Sequence, residues 1–220
     1  MADLNDIRAI LNDIRAILFD MDGTLVDSDR AVERSWLAWA AEYGADGPAT
    51  YRMAHGSPSE TTVRKLLSHL GDDEIRRAAT RQLELQYDDL ADVMATPGAL
   101  ELIATLDRLG LPWAVVTSAD ERLAKARLTA AGITPRVLVT TDDVPAGKPD
   151  PAGYLLAARM LGVPAENCLV VEDAEVGLEA ARAAGAHTAA LRGLSGDVGL
   201  RGLADLTAMI TQAGRPGTRR

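Results

Sequence analysis

Residues 17–27 read ILFDMDGTLVD. The apolar run Ile17-Leu18-Phe19 ends in Asp20, and Asp22 follows two residues later, beside Gly23. Like charges this close repel, and a fold gains nothing from holding them together. The stretch therefore reads as a buried strand, 15–20, that delivers two carboxylates to its own end, where a cation must offset them.

Outward from this strand the chain alternates. Further apolar runs at 112–118, 135–140, 167–173 and 187–191 read as strands. Between and after them, helical patterns run from about 98 to 109, then over 120–131, 151–161, 175–184 and 203–212. Strands that are apolar on both faces, separated by helices, predict a doubly wound α/β fold with a parallel sheet covered on both sides. Residues 28–95 break the alternation: amphipathic helices are expected at 28–43, 59–69 and 72–94, with no convincing strand. The predicted organisation is a core of residues 1–27 and 96–220 with a small all-helical cap, 28–95, inserted after the first strand. The heptapeptide LNDIRAI occurs twice, at 4–10 and 11–17, and only the second copy abuts the strand, so the first is expected to be dispensable.

Composition narrows the function. With 220 residues, 47% of them hydrophobic and 25% charged, the chain can bury a substantial core. A formal charge of −9 argues against a nucleic-acid backbone as partner. No run approaches the ~18 apolar residues of a membrane span, and the charged N-terminus lacks the apolar block of a signal peptide. The single cysteine, Cys168, lies in an apolar run and reads as a core residue; a reducing cytoplasm is expected. The sequence carries no signal of oligomeric state.

A parallel sheet gathers the carboxyl ends of its strands at one edge, where such folds place their sites. Asp20 and Asp22 would meet Thr117 and Ser118, Lys148 between Gly147 and Pro149, and the pair Glu172-Asp173 there. Four carboxylates would face hydroxyls and a single ammonium. Hard oxygen donors in such a cluster call for Mg²⁺. Asp20 is expected to be ionised at neutral pH unaided, since free Asp titrates near ~3.9, and so to attack phosphorus directly. Asp22 is close enough to protonate an alkoxide leaving group and then deprotonate water. Thr117, Lys148 and the backbone N–H groups of the Asp20–Gly23 turn suit the charge that builds on a phosphoryl group.

The stretches FDMDGTLVDS, VVTSAD, GKPDP and VVEDAEVG resemble, in order, the four motifs of the haloacid dehalogenase-like hydrolases, and the resemblance spans about 15–192. It implies Asp20 as nucleophile, Asp22 as acid–base, and Thr117 and Lys148 on the phosphate. It implies Mg²⁺ held by Asp20, Asp173 and the backbone carbonyl of Asp22, with Glu172 either touching the metal or supporting its ligands. The helical insert resembles the cap of the subfamily that includes sugar phosphatases, glycerol-phosphate phosphatases and β-phosphoglucomutase. That subfamily places a substrate loop where His55 and Gly56 stand here; His55 reads either as a substrate contact or as a polar loop residue. Phosphomutases of the subfamily carry a His on the first cap helix, where this chain has Val32, and an Arg shortly after the cap glycine, where it has Ser59. The implied activity is Mg²⁺-dependent hydrolysis of a small sugar or polyol phosphate through an aspartyl-phosphate. A hexose phosphate mutase is the alternative, and a phospho-aspartate signalling module that does not turn over is a further one.

Overall fold

The strand carrying Asp20 lies inside a six-stranded sheet. The computed structural model describes residues 4–54 and 57–213. Helix α1 (Leu4–Asp13) leads into β1 (Ala16–Phe19) and the short β2 (Val26–Asp27). Four helices follow: α2 (Asp29–Tyr43), α3 (Gly47–Ala54), α4 (Ser59–Leu66) and α5 (Asp72–Tyr87). After β3 (Met94–Ala95) come α6 (Ala99–Leu109), β4 (Trp113–Val116), α7 (Glu121–Ala130), β5 (Leu138–Val139) and α8 (Ala152–Leu161). The chain closes with β6 (Cys168–Glu172), α9 (Glu175–Ala183), β7 (His187–Ala190), β8 (Val198–Gly199) and α10 (Leu203–Ala213).

The sheet runs β5-β4-β1-β6-β7-β8 with every pairing parallel. Strand order therefore reverses at β1, with β4 on one side and β6 on the other, so Asp20 emerges at the switch point of the topology. The pleat divides the core in two. Ile17, Phe19, Trp113, Val115, Leu169 and Val171 pack with Leu102, Leu106, Leu123 and Leu206 of α6, α7 and α10. Ala16, Leu18, Ala114, Val116 and Val170 pack on the other face with Tyr154, Ala157 and Ala180 of α8 and α9. Burial on both faces is why the strands read as continuous apolar runs.

The segment between β2 and β3 has its own apolar cluster, built on Trp36, Trp39, Val63, Ile75 and Ala78. The expectation for this segment needs three corrections. Helix α3 falls between the expected helices 28–43 and 59–69: Asp46 Oδ1 accepts the Ala49 N–H at 2.7 Å and Pro48 fits a first turn. The helix expected over 72–94 stops at Tyr87. Three aspartates, Asp88, Asp89 and Asp92, follow it where the helix dipole disfavours anions, and Arg34 of α2 binds Asp89 and Asp92 at 2.8 and 2.7 Å instead. Finally, Met94–Ala95 is a strand, antiparallel to β2, that joins the two chain crossings. In the core, β8 was also missed and β5 is shorter than expected.

The two LNDIRAI copies fold differently. Residues 4–10 lie wholly in α1, whereas residues 11–17 finish α1 and enter β1. Leu11 and Ile14 are buried, and Ile10 packs partly against the same core. Deleting residues 2–8 keeps all three anchors. We expect a melting temperature within about 2–4 °C of the full chain, the equivalent of ~1 kcal/mol; a larger drop in a thermal melt would mean that the removed arm packs on the core.

Candidate active site

Strand β1 ends at Phe19, and the chain turns at once. The N–H groups of Leu25 and Val26 return to Met21 O, and that of Gly23 to Val26 O at 2.8 Å. Gly23 has φ +82°, and a Cβ there would stand 2.1 Å from Asp173 Oδ2. Only glycine satisfies both the left-handed backbone and the close approach to Asp173. Of the N–H groups in the Asp20–Gly23 turn, that of Asp20 is taken by Val171 O and that of Gly23 by Val26 O, which leaves those of Met21 and Asp22 as candidates for a phosphate.

Asp20, Lys148, Glu172 and Asp173 converge beneath this turn, all buried. Lys148 Nζ donates to Asp20 Oδ1 at 2.5 Å, to Glu172 Oε1 at 2.7 Å and to Val116 O at 3.1 Å. Glu172 also accepts the Tyr154 hydroxyl at 2.7 Å and, through Oε2, the N–H groups of Asp173 and Ala174 at 3.1 and 3.3 Å. Burial, then the charge on Glu172, push the Asp20 carboxyl well above the ordinary carboxylate range, with Lys148 pulling it down. The free-peptide value therefore does not carry over to Asp20, whose carboxylate form is opposed by burial and favoured by the adjacent Lys148 ammonium. Burial alone would lower Lys148, but Asp20 and Glu172 hold its ammonium well above its ordinary value, so it stays charged.

Carboxylate oxygens of Asp20, Glu172 and Asp173 lie within 4.8 Å of one another. Three hard anionic donors so close, in a buried site, suit a small divalent cation such as Mg²⁺. Two guanidinium groups join the ammonium of Lys148 at this edge. Arg192 Nε lies 2.9 Å from Asp173 Oδ2, and its Nη2 donates to both oxygens of Asp29 at 2.9 Å. Arg127 Nη1 donates to Asp22 Oδ2 at 2.8 Å, and Ser28 Oγ donates to Asp22 Oδ1 at 2.6 Å. Arg192 adopts φ +53°, an unusual conformation for a side chain this size. Its sequence gave no cue. Arg127 did give one: it falls on the buried stripe of α7 with Leu123, Ala124 and Leu128.

Above the carboxylates a cavity of ≈ 80 Å³ separates the sheet edge from α2–α5. Asp20, Asp22, Thr117 and Ser118 line its floor; Val32, Trp36, Tyr51, Ser59 and Gln86 line the opposite wall. Thr117 Oγ1 accepts the Ala119 N–H at 3.1 Å, which fixes the hydroxyl at the end of β4. Trp36 thus both lines the cavity and packs on Trp39, whose indole N–H donates to Ala78 O. His55 and Gly56 lie outside the described residues. Cys168 is a core residue, as expected, with burial pushing its thiol up to about 11.

The haloacid dehalogenase-like hydrolase family matches residues 14–185, and thus every strand from β1 to β6. This chain is one of those hydrolases. It is 39% identical over 162 residues to hexitol phosphatase A of Escherichia coli (strain K12), covering 73% of this chain and 75% of that protein. It is 33% identical to 2-deoxyglucose-6-phosphate phosphatase 1 of Saccharomyces cerevisiae, covering 72% of each. Among solved structures it is similar to CbbY from Rhodobacter sphaeroides in complex with phosphate, with a TM-score of 0.78, 27% identity, and 90% and 99% of the two chains covered. Within this haloacid dehalogenase-like hydrolase, all the core residues singled out from the sequence lie at one edge of one sheet, while Tyr154, Arg127, Arg192 and Gln86 are additions made by the fold. Among the described residues no helix is long and apolar enough to cross a membrane.

Proposed function

We propose that the chain hydrolyses the phosphate monoester of a small sugar or polyol in the cytoplasm, with residues 28–95 acting as a cap over a core of residues 1–27 and 96–220. The observation that carries this reading is the convergence of Asp20 with Lys148, Glu172 and Asp173 under a small cavity whose floor also holds Asp22 and Thr117. Asp20 attacks phosphorus and the ester P–O bond breaks. The leaving oxygen takes a proton from Asp22, which later removes a proton from water as that water attacks the aspartyl-phosphate and frees Asp20. Thr117, Lys148 and the N–H groups of Met21 and Asp22 hold the phosphoryl oxygens, with Ser118 beside them. Glu172, whose two oxygens take four donors, anchors Lys148 more than it offers an open coordination position. Asp20, Asp173 and the carbonyl of Asp22 would hold Mg²⁺, which when bound supplies positive charge against the transferring phosphoryl group.

The relatives' names favour sugar phosphates as substrates. Trp36 and Tyr51 offer apolar faces, and the hydroxyl oxygens of Ser28 and Ser59 keep acceptor capacity for hydrogen bonds, a combination suited to a polyol chain. Hydrolysis is favoured over mutase activity because Val32 and Ser59 are both in the cavity wall, and neither supplies a cation for a second phosphate. The test is phosphate release from hexitol, hexose, pentose and glycerol phosphates in Mg²⁺. We expect the highest kcat/KM on a hexitol or hexose monophosphate, complete loss in excess chelator, and poor replacement by Ca²⁺, whose looser coordination misplaces Asp20. Full activity in chelator would overturn the metal assignment. Conversion of β-glucose 1-phosphate to glucose 6-phosphate faster than phosphate release would establish the mutase. A stable phospho-aspartate with no release would establish the signalling module.

A further inference from the structure

A chain of polar side chains runs from Asp22 along the wall of the cavity and into the helices above it. Arg127 stands at its root, 2% exposed on α7. Its Nη1 binds Asp22, and its Nη2 donates to Gln86 Oε1 of α5 at 2.7 Å. Gln86 Nε2 donates to Gln82 Oε1 at 2.6 Å, an oxygen that also accepts Ser59 Oγ of α4 at 2.5 Å. Gln82 Nε2 in turn donates to Ser35 Oγ of α2 at 3.3 Å. Three of the four helices over the cavity are thereby connected to one carboxylate on the floor.

This arrangement is costly. A guanidinium taken out of water loses much of its hydration, and one ion pair seldom restores it. Arg127 Nε is buried without a partner among the described residues, so even its own donors are not all satisfied. A leucine would complete the apolar stripe of Leu123 and Leu128 and cost nothing of this kind. What an arginine offers that leucine cannot is a rigid fork: one arm fixes an oxygen of Asp22 while the other reports where α5 sits. Ser28, at the start of α2, fixes the second oxygen.

We propose that Arg127 is a positioning residue for Asp22: it sets the orientation of that carboxyl between leaving-group oxygen and attacking water, and through Gln86 it makes that orientation depend on the seating of α5. The inference rests on the reading of Asp22 as the acid–base group. Arg127 touches no reacting atom itself; its effect is felt only where Asp22 must place a proton.

The test uses the full chain with Mg²⁺, the variants Arg127→Met, Arg127→Lys, Gln86→Leu and Asp22→Asn, and two esters: an alkyl phosphate, whose leaving group needs an acid, and p-nitrophenyl phosphate, whose leaving group does not. The readout is the pre-steady-state release of each leaving group, which isolates the first step. Arg127→Met is expected to slow alkyl ester cleavage by about 10²-fold, the scale of general acid catalysis, while the p-nitrophenolate burst is little changed. Gln86→Leu should act in the same direction with a smaller loss, and Arg127→Lys should fall between wild type and Arg127→Met. Equal losses on both esters in Arg127→Met, with Asp22→Asn still discriminating between them, would overturn the role of Arg127 alone. Equal losses in Asp22→Asn would instead overturn the acid–base reading beneath it. If Arg127→Met does not fold, Gln86→Leu decides: an unchanged ratio between the two esters removes the link to α5.

Discussion

Asp20→Asn should release no measurable phosphate, a loss of about 10⁴-fold or more, and should show no covalent phospho-enzyme by intact-mass analysis. The amide is isosteric, so the cavity and the contact with Lys148 survive, but its oxygen cannot attack phosphorus. Asp22→Asn should also be slow on alkyl esters, yet with a good leaving group it should accumulate phospho-Asp20, because the water that clears it has lost its base. The two variants thus separate a missing nucleophile from a missing proton carrier. Appreciable turnover by Asp20→Asn would overturn the covalent route. Stability supplies a second, independent reading. The Asp20 carboxyl is pushed up by burial and by Glu172, so folding raises its affinity for a proton. Its contribution to stability is then fully present below the unfolded value of ~3.9 and is lost as pH rises through the raised folded value. In chelator, urea denaturation of the wild type should show that decline and Asp20→Asn should lack it.

The strands and the motif residues at their ends were legible because buried parallel strands are apolar on both faces and stop abruptly at polar residues. Asp20, Thr117, Lys148, Glu172 and Asp173 could be placed at one edge from that pattern alone. What lay beyond reach was set by partners distant in sequence. The identical LNDIRAI copies take different structures because only the second abuts Asn167, whose carbonyl accepts the Arg15 N–H at 2.7 Å. Helix α5 ends where Arg34, 55 residues earlier, claims Asp89. Arg192 gave no periodic signal, since it sits after β7 and reaches back to Asp173 and Asp29. Arg127 was a charge on an apolar stripe, a conflict within one helix that marks a buried polar group even before its partner is known. The free-peptide value fails for Asp20 for the same reason: it ignores the burial and the Glu172 charge, which only the fold creates and which push the carboxyl up.

Gly177→Ala should destabilise the protein by about 3 kcal/mol or more, although it places a good helix former inside a helix. On an exposed helix the exchange would stabilise by roughly 0.5–1 kcal/mol. Here a Cβ at position 177 would stand 1.7 Å from Glu172 Oε1 and 2.6 Å from Oε2. The Glu172 carboxylate lies against the first turns of α9, where the Ala174 N–H and the helix dipole favour an anion. Expelling it breaks its contacts with Lys148 and Tyr154 and leaves a buried ammonium with Asp20 alone, a loss on the scale of ~3–5 kcal/mol for a broken buried pair. Activity should fall with stability, because Lys148 loses one of the two carboxylates that fix it. Urea denaturation measures the first effect, and a double-mutant cycle identifies its cause. If the clash with Glu172 is responsible, Glu172→Ala removes the atoms that the new methyl meets, and the double variant should be no less stable than Glu172→Ala itself. Additive losses would mean that Gly177 is required for some other reason, such as its packing within α9, and that the carboxylate's place against the helix is incidental.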